Sequence, residues 1–199
     1  MSTAKYKNYT EFDEAKSKCC ACEIGKAYNQ VVLSDGNKIN PKVVFIGEAC
    51  GAEELIVGKP FVGKAGRLLR ATLKEFGFNE TNCLITNTIP CRPLNNKFPD
   101  DKSLVHSCKE KWLMEELKLL NPDFIVLIGA KSLKFLLNID GITKERGKFN
   151  IIKINNKTVE LIAIFHPSYV LRKAYMAEGK EIMEHFRNDI KKVSEIIKK

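Results

Sequence analysis

Four consecutive apolar residues open the stretch Val43-Val44-Phe45-Ile46-Gly47-Glu48-Ala49-Cys50-Gly51, and small and acidic residues close it. A continuous apolar run rich in β-branched residues is typical of a strand that is buried on both faces of a sheet. Small residues directly after such a strand let a ligand come close to the backbone. The stretch therefore predicts a central strand of an α/β domain, with a candidate site at its carboxyl end.

Apolar periodicity on both sides of this strand predicts further elements. Buried strands are expected at residues 83–86 and 124–128, and amphipathic helices over residues 64–76, 103–120 and 180–198. The Asn155-Asn156 pair between two apolar runs predicts a hairpin turn. Because strands alternate with helices, we expect a three-layer α/β/α sandwich with a mainly parallel central sheet, formed by residues 1–199 as a single domain.

Polar segments follow three of the expected strands. They cover residues 47–61, 87–97 and 166–172. In parallel α/β sheets, ligands bind at the carboxyl ends of the strands. The sequence therefore predicts that these segments meet in one site.

The composition is basic, with 33 Lys and Arg residues, 24 Asp and Glu residues and a formal charge of +9. A basic protein attracts a polyanion such as nucleic acid, although a generally lysine-rich surface accounts for the charge equally well. Residues 1–7 lack the apolar region of a secretory signal, and no apolar run approaches the ~18 residues needed to cross a bilayer. We therefore expect a cytoplasmic, nucleoid-associated intracellular protein with no membrane partner.

Four of the seven cysteines have the arrangement of metal ligands. Cys19 and Cys22 form a C-x-x-C pair, whereas Cys91 and Cys108 lie far downstream. A reducing compartment keeps thiols free, so a disulfide framework is not expected. The long gap does not fit a compact zinc finger, whereas distant thiols can converge on one metal centre or cubane cluster. Ordinary buried thiols are the alternative, and Cys83 is expected in the core.

The polar segments contain side chains suited to chemistry on a neutral group. Glu48 and Glu54 follow the first strand, where carboxylates can orient a water molecule, although a solvated acidic loop has the same pattern. Phe61 lies in a glycine-bounded loop and is either a stacking platform or a core residue. Asn87 ends the second strand, where its amide can donate and accept along a base edge. His166 follows the last strand and either donates to a developing oxyanion or has a structural capping role.

Taken together, these segments resemble the iron–sulfur uracil-DNA glycosylases, the family-4 branch found in thermophilic bacteria and archaea. The resemblance covers about residues 19–172 and depends on four motifs in the family's order, Gly47-Glu48-Ala49-x-Gly51, Gly58-x-Pro60-Phe61-Val62-Gly63-x-Ala65-Gly66, Thr86-Asn87-x-x-x-Cys91-Arg92-Pro93-x-x-Asn96 and His166-Pro167-x-Tyr169-x-Leu171-Arg172. The chain departs from the family pattern at three positions. Cys50 replaces a usual proline, Leu55 replaces a common acidic residue, and Lys97 stands where arginine is typical.

The resemblance implies that the protein is a DNA-repair glycosylase. Such an enzyme hydrolyses the N-glycosidic bond between uracil and deoxyribose in DNA, and it releases free uracil and leaves an abasic site. The resemblance also implies a [4Fe–4S] cluster bound by Cys19, Cys22, Cys91 and Cys108. The implied partner is uracil-containing DNA, single- or double-stranded, bound by a monomer, with a sliding clamp as a possible further partner.

The same resemblance implies roles for individual side chains. Phe61 would stack on uracil, Asn87 would hydrogen-bond its polar edge, and His166 would stabilise charge on uracil O2. Glu54 or Glu48 would position the water molecule or the cationic sugar. Ala49 stands where better-known relatives carry a water-activating Asp, so catalysis is expected to depend on leaving-group stabilisation. The other implied contacts are Asn96 for the substrate and Arg92, Lys97, Tyr169, Leu171 and Arg172 for DNA, with Leu171 as the apolar wedge.

Two other classes of protein fit parts of the sequence. A non-enzymatic iron–sulfur or zinc DNA-binding module would explain the cysteines and the charge. An iron–sulfur nuclease would need a carboxylate set that binds Mg²⁺, and Glu48, Glu53 and Glu54 do not form a recognisable set of that kind. A uracil-containing oligonucleotide separates the three classes, because only the glycosylase removes the base without cutting the strand.

Overall fold

A computed structural model of the protein describes residues 4–198, apart from the side chain of Lys102. Within this range the strands are β1 (Asp35–Gly36), β2 (Val43–Ala49), β3 (Cys83–Ile89), β4 (Phe124–Ile128), β5 (Phe149–Ile154) and β6 (Lys157–Ile164). The α-helices are α1 (Tyr9–Ser17), α2 (Glu23–Tyr28), α3 (Ala52–Val57), α4 (Lys64–Glu75), α5 (Lys102–Cys108), α6 (Glu115–Leu120), α7 (Ala130–Leu137), α8 (Ile142–Glu145), α9 (Pro167–Lys173) and α10 (Gly179–Ile197). A 3₁₀ turn covers Leu94–Asn96, and a π-helical segment covers Lys109–Met114.

The strands form one six-stranded sheet in the order β1-β3-β2-β4-β6-β5. The four inner strands are parallel, whereas β1 and β5 pair antiparallel at the two edges. Strand β2 lies in the middle, and the chain moves to β3 on one side before it returns to β4 on the other. Such a reversal of strand order opens a crevice at the carboxyl ends of the parallel strands, which is where α/β proteins bind ligands.

Alternate residues of the central strands face opposite helical layers. On one face, Phe45 packs in a buried cluster with Leu69 of α4 and Phe186 of α10. On the other face, Val44 packs in a second cluster with Leu117 of α6. Burying one large aliphatic or aromatic side chain contributes about 1.5–3 kcal/mol, so both helical layers are held mainly by this apolar contact. The predicted three-layer sandwich with a mainly parallel sheet is confirmed.

The structure corrects several predicted boundaries. The helix expected over residues 103–120 is interrupted by the π-helical segment, which starts directly after Cys108. Strand β3 continues to Ile89, so Asn87 lies within a strand and not in the loop after it. Helix α1 lies outside the predicted helices; it begins at Tyr9, where the side chain of Asn8 caps it by accepting a hydrogen bond from the Glu11 amide. None of the helices in residues 4–198 combines the length and apolar character that crossing a membrane requires.

Candidate active site

A cavity of about 430 Å³ opens at the carboxyl edge of the parallel strands. It brings together residues from all three polar segments that the sequence singled out. Among its lining residues are Ala49, Glu54, Phe61, Asn87, Asn96 and His166. Six of the predicted site residues therefore share one cavity, although they are separated by up to 117 positions in the chain.

Asn87 presents an unpaired hydrogen-bond acceptor in this cavity. The residue is 6% exposed, and its Oδ1 atom is buried without a hydrogen-bond partner. The parallel register places Asn87 of β3 beside Gly47 of β2. A buried amide oxygen without a partner costs about 1–3 kcal/mol, so such a group is expected where a ligand supplies the missing donor.

Gly47 provides the space that Asn87 and Phe61 occupy. A Cβ atom built on Gly47 would lie 2.4 Å from Asn87 Oδ1 and 2.5 Å from Phe61 Cζ. Real Cβ atoms do not approach other atoms so closely, and both neighbours are held within the fold. The backbone of Gly47 is not in the left-handed region. Glycine is therefore needed here for the close approach of Phe61 and Asn87 and not for its backbone conformation.

Replacing Gly47 by alanine is expected to destabilise the protein by about 1–3 kcal/mol, the usual cost of overpacking a filled site. The added methyl group must displace the Phe61 ring or the Asn87 amide. Urea unfolding of the wild-type protein and of the Gly47→Ala variant measures this difference. An unchanged free energy of unfolding would show that the two side chains have more room than the structure gives them.

Phe61 is held in an unusual backbone conformation beside His166. Its φ angle is +54°, which is strained for a bulky residue. Arg70 holds the turn, since its Nε donates to the Phe61 carbonyl at 2.9 Å and its Nη2 donates to the Pro60 carbonyl at 2.7 Å. The Phe61 and His166 ring centroids are 6.0 Å apart with an interplanar angle of 36°. The Phe61 ring is therefore fixed as one wall of the cavity.

Glu54 joins the first two motifs through backbone hydrogen bonds. Its Oε1 accepts from the amides of Val62 at 3.0 Å and Gly63 at 2.8 Å, and its Oε2 accepts from the amide of Gly51 at 3.1 Å. One carboxylate oxygen thus binds the loop that carries Phe61, and the other binds the loop after β2. In this arrangement Glu54 acts first as a positioning residue for the loops, whereas its expected action on water stays a prediction.

His166 is arranged as a neutral hydrogen-bond donor. It caps α9, and its Nδ1 accepts from the Ser168 amide at 3.2 Å and lies 2.8 Å from Ser168 Oγ. Because a backbone amide can only donate, Nδ1 carries no proton and the neutral ring carries its proton on Nε2. Burial, helped by the nearby Arg172 charge and opposed by Glu54, lowers the pKa of His166 to about 4. The imidazole is therefore neutral at physiological pH.

The other predicted residues are placed around the cavity with different exposure. Glu48 is not among the described residues that line the cavity, and burial raises the pKa of its carboxyl while Lys131 lowers it. Arg92 Nε donates to the Asn96 side chain at 3.1 Å. The exposed Lys97 pairs with Asp100 at 3.0 Å. Arg92 therefore contacts a residue of the cavity wall, whereas Lys97 and Glu48 are not among the described lining residues.

Helix α9 carries the remaining predicted DNA contacts. Tyr169 packs against Phe165, with ring centroids 5.1 Å apart, and Leu171 is half-buried. Arg172 is exposed and donates to Ser168 Oγ at 3.2 Å. Beyond the end of the helix, Tyr175 is 96% exposed. Tyr175 is thus a more exposed apolar side chain than the predicted wedge, Leu171.

Sequence reasoning missed the residues that hold the site in shape. Arg70 lies on the polar side of α4, where its pattern is that of any solvated helical arginine. Ser168 lies within a quoted motif, and its position two residues after His166 is a capping signal. Gly66 approaches the Phe61 loop so closely that a Cβ there would lie 2.2 Å from the Phe61 carbonyl oxygen. The small residues of the second motif indicate close backbone packing in the sequence, whereas nothing in the sequence indicates the role of Arg70.

The four predicted ligand cysteines lie near one another. Cys19, Cys22 and Cys108 line one cavity of about 360 Å³. Burial, together with the proximity of Cys19 and Cys22, raises the pKa of the Cys91 thiol to about 12. Burial and the proximity of the other three cysteines likewise raise the pKa of Cys108 to about 12. The four thiols therefore approach one another from the turn between α1 and α2, from the loop after β3 and from the end of α5.

Other groups surround these thiols. The buried Lys16 ammonium opposes the rise in the pKa of Cys91 and Cys108 without cancelling it, and it forms an ion pair with Glu116 at 2.9 Å. Cys50, which stands at the usual proline position, is buried and close enough to Cys91 for their charges to interact. Within residues 4–198, no three His, Cys, Asp or Glu side chains are grouped as ligands of a single metal ion.

The fold and the cavity at its carboxyl edge agree with comparisons to known proteins. Residues 33–191 match the model of the uracil DNA glycosylase superfamily, and the chain belongs to this family. Within it, the chain is similar to type-4 members. It is 38% identical to the type-4 uracil-DNA glycosylase of Thermotoga maritima over 94% of this chain and 93% of the relative. The type-4 enzyme of Archaeoglobus fulgidus is 33% identical, over 89% of this chain and 87% of the relative.

Similarity to another type of the family is weaker. A type-5 uracil-DNA glycosylase of Pyrobaculum aerophilum is 31% identical over 45% of this chain and 38% of the relative. The sequence expectation of a type-4 member of the family is confirmed.

Proposed function

We propose that this protein, acting as one domain, hydrolyses the N-glycosidic bond between uracil and deoxyribose in DNA, and that it releases uracil and leaves an abasic site. The observation that carries the proposal is the unpaired Oδ1 of Asn87 inside a cavity walled by Phe61 and His166. An acceptor, an aromatic ring and a neutral imidazole donor match the features of one uracil base. Membership of the uracil DNA glycosylase superfamily supports the same activity.

Asn87 is proposed to recognise the polar edge of uracil. Its Oδ1 would accept from uracil N3–H, and its Nδ2 would donate to uracil O4. Cytosine has the reversed pattern, an acceptor at N3 and a donor at C4, so both hydrogen bonds would be lost with this amide orientation. Each lost partner in a dry site costs about 1–3 kcal/mol, which gives discrimination by this one side chain.

His166 is proposed to stabilise the departing base. When the bond between C1′ and N1 breaks, the electron pair goes to the uracil ring and the sugar becomes an oxocarbenium-like cation. The Nε2–H of the neutral His166 would donate to uracil O2, where much of the negative charge develops. A positioned donor of this kind contributes about 3–4 kcal/mol. A water molecule then adds its oxygen to C1′ and gives up one proton, and the uracil anion gains one.

DNA is proposed to bind across the rim of the cavity. Arg92, Lys97 and Arg172 would contact phosphates while the uridine leaves the base stack. Leu171 and Tyr169 remain candidates for filling the vacated position, and the exposed Tyr175 is an additional one. These contacts would hold the extruded nucleotide long enough for the bond to break.

We infer that Cys19, Cys22, Cys91 and Cys108 hold a [4Fe–4S] cluster. The donor set fits, since four thiols approach one another beside the buried Lys16 cation. Four cysteine sulfurs around one zinc ion, with Zn–S bonds of about 2.3 Å, are ~3.8 Å from one another. The cysteine sulfurs that hold a cubane are farther apart, because each would bind a different iron. The absence of a compact single-ion group in the described residues is compatible with that spacing. When bound, the cluster would tie the α1–α2 turn to the Arg92 loop and α5.

Replacing Cys91 by serine is expected to abolish the visible absorbance of the iron–sulfur cluster and to reduce bound iron. The melting temperature should fall by about 5–10 °C, as a loss of about 2–3 kcal/mol would cause in a chain of this size. Iron analysis, absorbance spectra and thermal unfolding measure these effects. The exposed Cys20 provides the control, since Cys20→Ser should keep iron, colour and stability. Stoichiometric zinc without iron in the wild-type protein would contradict the cluster.

A labelled oligonucleotide with one uracil tests the proposed function. The glycosylase should leave the strand intact until alkali cleaves the abasic site. A nuclease would cut the strand without alkali, and a non-enzymatic DNA-binding module would leave the strand intact in both conditions. Either of these two results would contradict the proposal.

A further inference from the structure

Besides the candidate active site and the cavity at the cysteines, a further cavity has no role in the proposed function. It lies beside the active site and is called the second cavity below. Its volume is about 400 Å³. Its walls combine the aromatic rings of Phe98 and Phe135 with the lysine side chains of Lys109, Lys131 and Lys134. Lysines beside aromatic rings are the combination by which proteins bind single nucleotides of a nucleic-acid strand.

The two cavities are neighbours along the carboxyl edge of the sheet. Asn96 lines the first cavity, and Phe98, two residues later, lines the second. Gly129, which directly follows β4, lies against the His166 side chain, since a Cβ there would lie 2.9 Å from His166 Cβ. Lys131, two residues after Gly129, is close enough to Glu48 near the end of β2 for its charge to act on that carboxyl. A DNA strand with its uracil in the first cavity therefore has a neighbouring nucleotide within reach of the second.

The charges of the second cavity favour a phosphate. Lys131 is exposed, its ammonium lies 5.5 Å from the Phe98 ring centroid, and it belongs to none of the ion pairs in the described part of the chain. Lys134 pairs with Asp140 at 2.6 Å, and the one acidic lining residue among those described, Asp100, pairs with Lys97. The Lys131 charge acts to lower the pKa of the nearby Glu48 and Asp100 carboxyls but forms an ion pair with neither, so it is available for a ligand.

The aromatic pair gives the cavity an apolar wall. Phe98 and Phe135 pack edge to face, with ring centroids 6.4 Å apart and an interplanar angle of 87°. Phe135 is buried, so it fixes the half-buried Phe98 ring. A sugar or base can pack against this wall while its phosphate meets Lys131.

We propose that the second cavity binds a nucleotide that flanks the uracil in the same DNA strand, with its phosphate at Lys131 and its base or sugar against Phe98. This inference rests on the proposed function, because it assigns part of the same substrate. The ligand is a phosphate group with an attached nucleoside. A free nucleotide has the same chemistry, so the experiment must separate the two sources.

The test compares Lys131→Gln with Lys153→Gln, which removes the same charge from an exposed residue near the hairpin at the opposite edge of the sheet. DNA binding is measured by fluorescence anisotropy between 50 and 200 mM salt, and uracil excision is measured on the same oligonucleotide. Lys131→Gln should weaken binding about 3- to 10-fold and reduce the salt slope by about 0.7–0.9, as the loss of one phosphate contact does. Lys153→Gln should behave as the wild-type protein.

Oligonucleotide length and a free nucleotide supply the other arms. Nucleotides are removed stepwise on either side of the uracil. Wild-type affinity should fall when the nucleotide that occupies the second cavity is removed. Lys131→Gln and the wild-type protein should bind this oligonucleotide and shorter ones equally. Phe98→Leu should lower affinity at the same length. Equal salt slopes for Lys131→Gln and Lys153→Gln would overturn the inference. The inference would also be overturned if Lys131→Gln weakened the binding of free deoxyadenosine monophosphate but not the binding of DNA.

Failure of the proposed function would look different from failure of this inference. If the wild-type protein binds DNA but releases no uracil, the proposed function fails. If uracil is released normally and the salt slope does not depend on Lys131, only the second cavity is wrongly assigned.

Discussion

Asn87→Ala is expected to lower kcat/KM for uracil excision about 10³-fold while leaving the fold intact. Two hydrogen bonds to the base would be lost, each worth about 1–3 kcal/mol in a site that excludes water. Stability should change little, because Asn87 Oδ1 has no hydrogen-bond partner within the protein. The effect is measured by single-turnover excision from a uracil oligonucleotide, with thermal unfolding in parallel.

The matched control removes a carboxamide elsewhere. Asn150 lies in the edge strand β5, and its side chain bonds only weakly to the Lys148 carbonyl at 3.5 Å. Asn150→Ala should keep wild-type activity. If Asn87→Ala excises uracil at the wild-type rate and folds normally, Asn87 does not bind the base and the recognition scheme is wrong.

His166→Asn is expected to lower the rate of bond cleavage about 10²- to 10³-fold, the usual effect of losing one donor to a developing anion. Asparagine is chosen because its side-chain oxygen can still accept from the Ser168 amide and cap α9, as His166 Nδ1 does. The variant thus loses the Nε2–H donor and keeps the capping hydrogen bond. Single-turnover rates at saturating DNA separate this loss from weaker binding.

The pH dependence of the wild-type enzyme provides a second readout of His166. Because burial lowers the pKa of His166 to about 4, the imidazole stays neutral in the folded protein from pH 8 down to about pH 5. The single-turnover rate should therefore show no step near pH 6.5, where an exposed histidine titrates. Protonation is easier in the unfolded chain, so this histidine should reduce stability as the pH falls from about 6.5 towards 4.

The control for His166 is His185, a half-buried residue of α10 that pairs with Glu181 at 3.3 Å. His185→Asn should leave both the rate and its pH profile unchanged. A rate step near pH 6.5 that persists in His185→Asn and disappears in His166→Asn would show that His166 is charged in the working enzyme.

The central strands and the place of the site could be predicted from the sequence because both depend on local patterns. The apolar run before Gly47 is recognisable as a buried strand, and polar residues after parallel strands must meet at one edge of the sheet. Asn87 and His166 were found in this way. Their placement on adjacent walls of one cavity follows from the strand order, which the sequence pattern alone does not specify.

The details that hold the site depend on tertiary contacts and could not be predicted. The positive φ angle of Phe61 is typical of glycine, and it is maintained here by Arg70 from the next helix. Glu54 looked like a residue that acts on water, yet its carboxylate receives three backbone amides. The helix that carries Cys108 looked continuous, because no residue type in Lys109–Met114 marks a π-helical segment. Each depends on contacts between segments that are distant in sequence or on backbone geometry that residue types do not encode.

The most direct test of the central claim measures free uracil and abasic sites together, after incubation of a uracil-containing oligonucleotide with the wild-type protein and with Asn87→Ala. The cavity of Phe61, Asn87 and His166 leads us to expect one free uracil for each abasic site from the wild-type protein, and about 10³-fold slower release from the variant. Release of uracil at equal rates by both proteins, or no release by the wild-type protein, would contradict it.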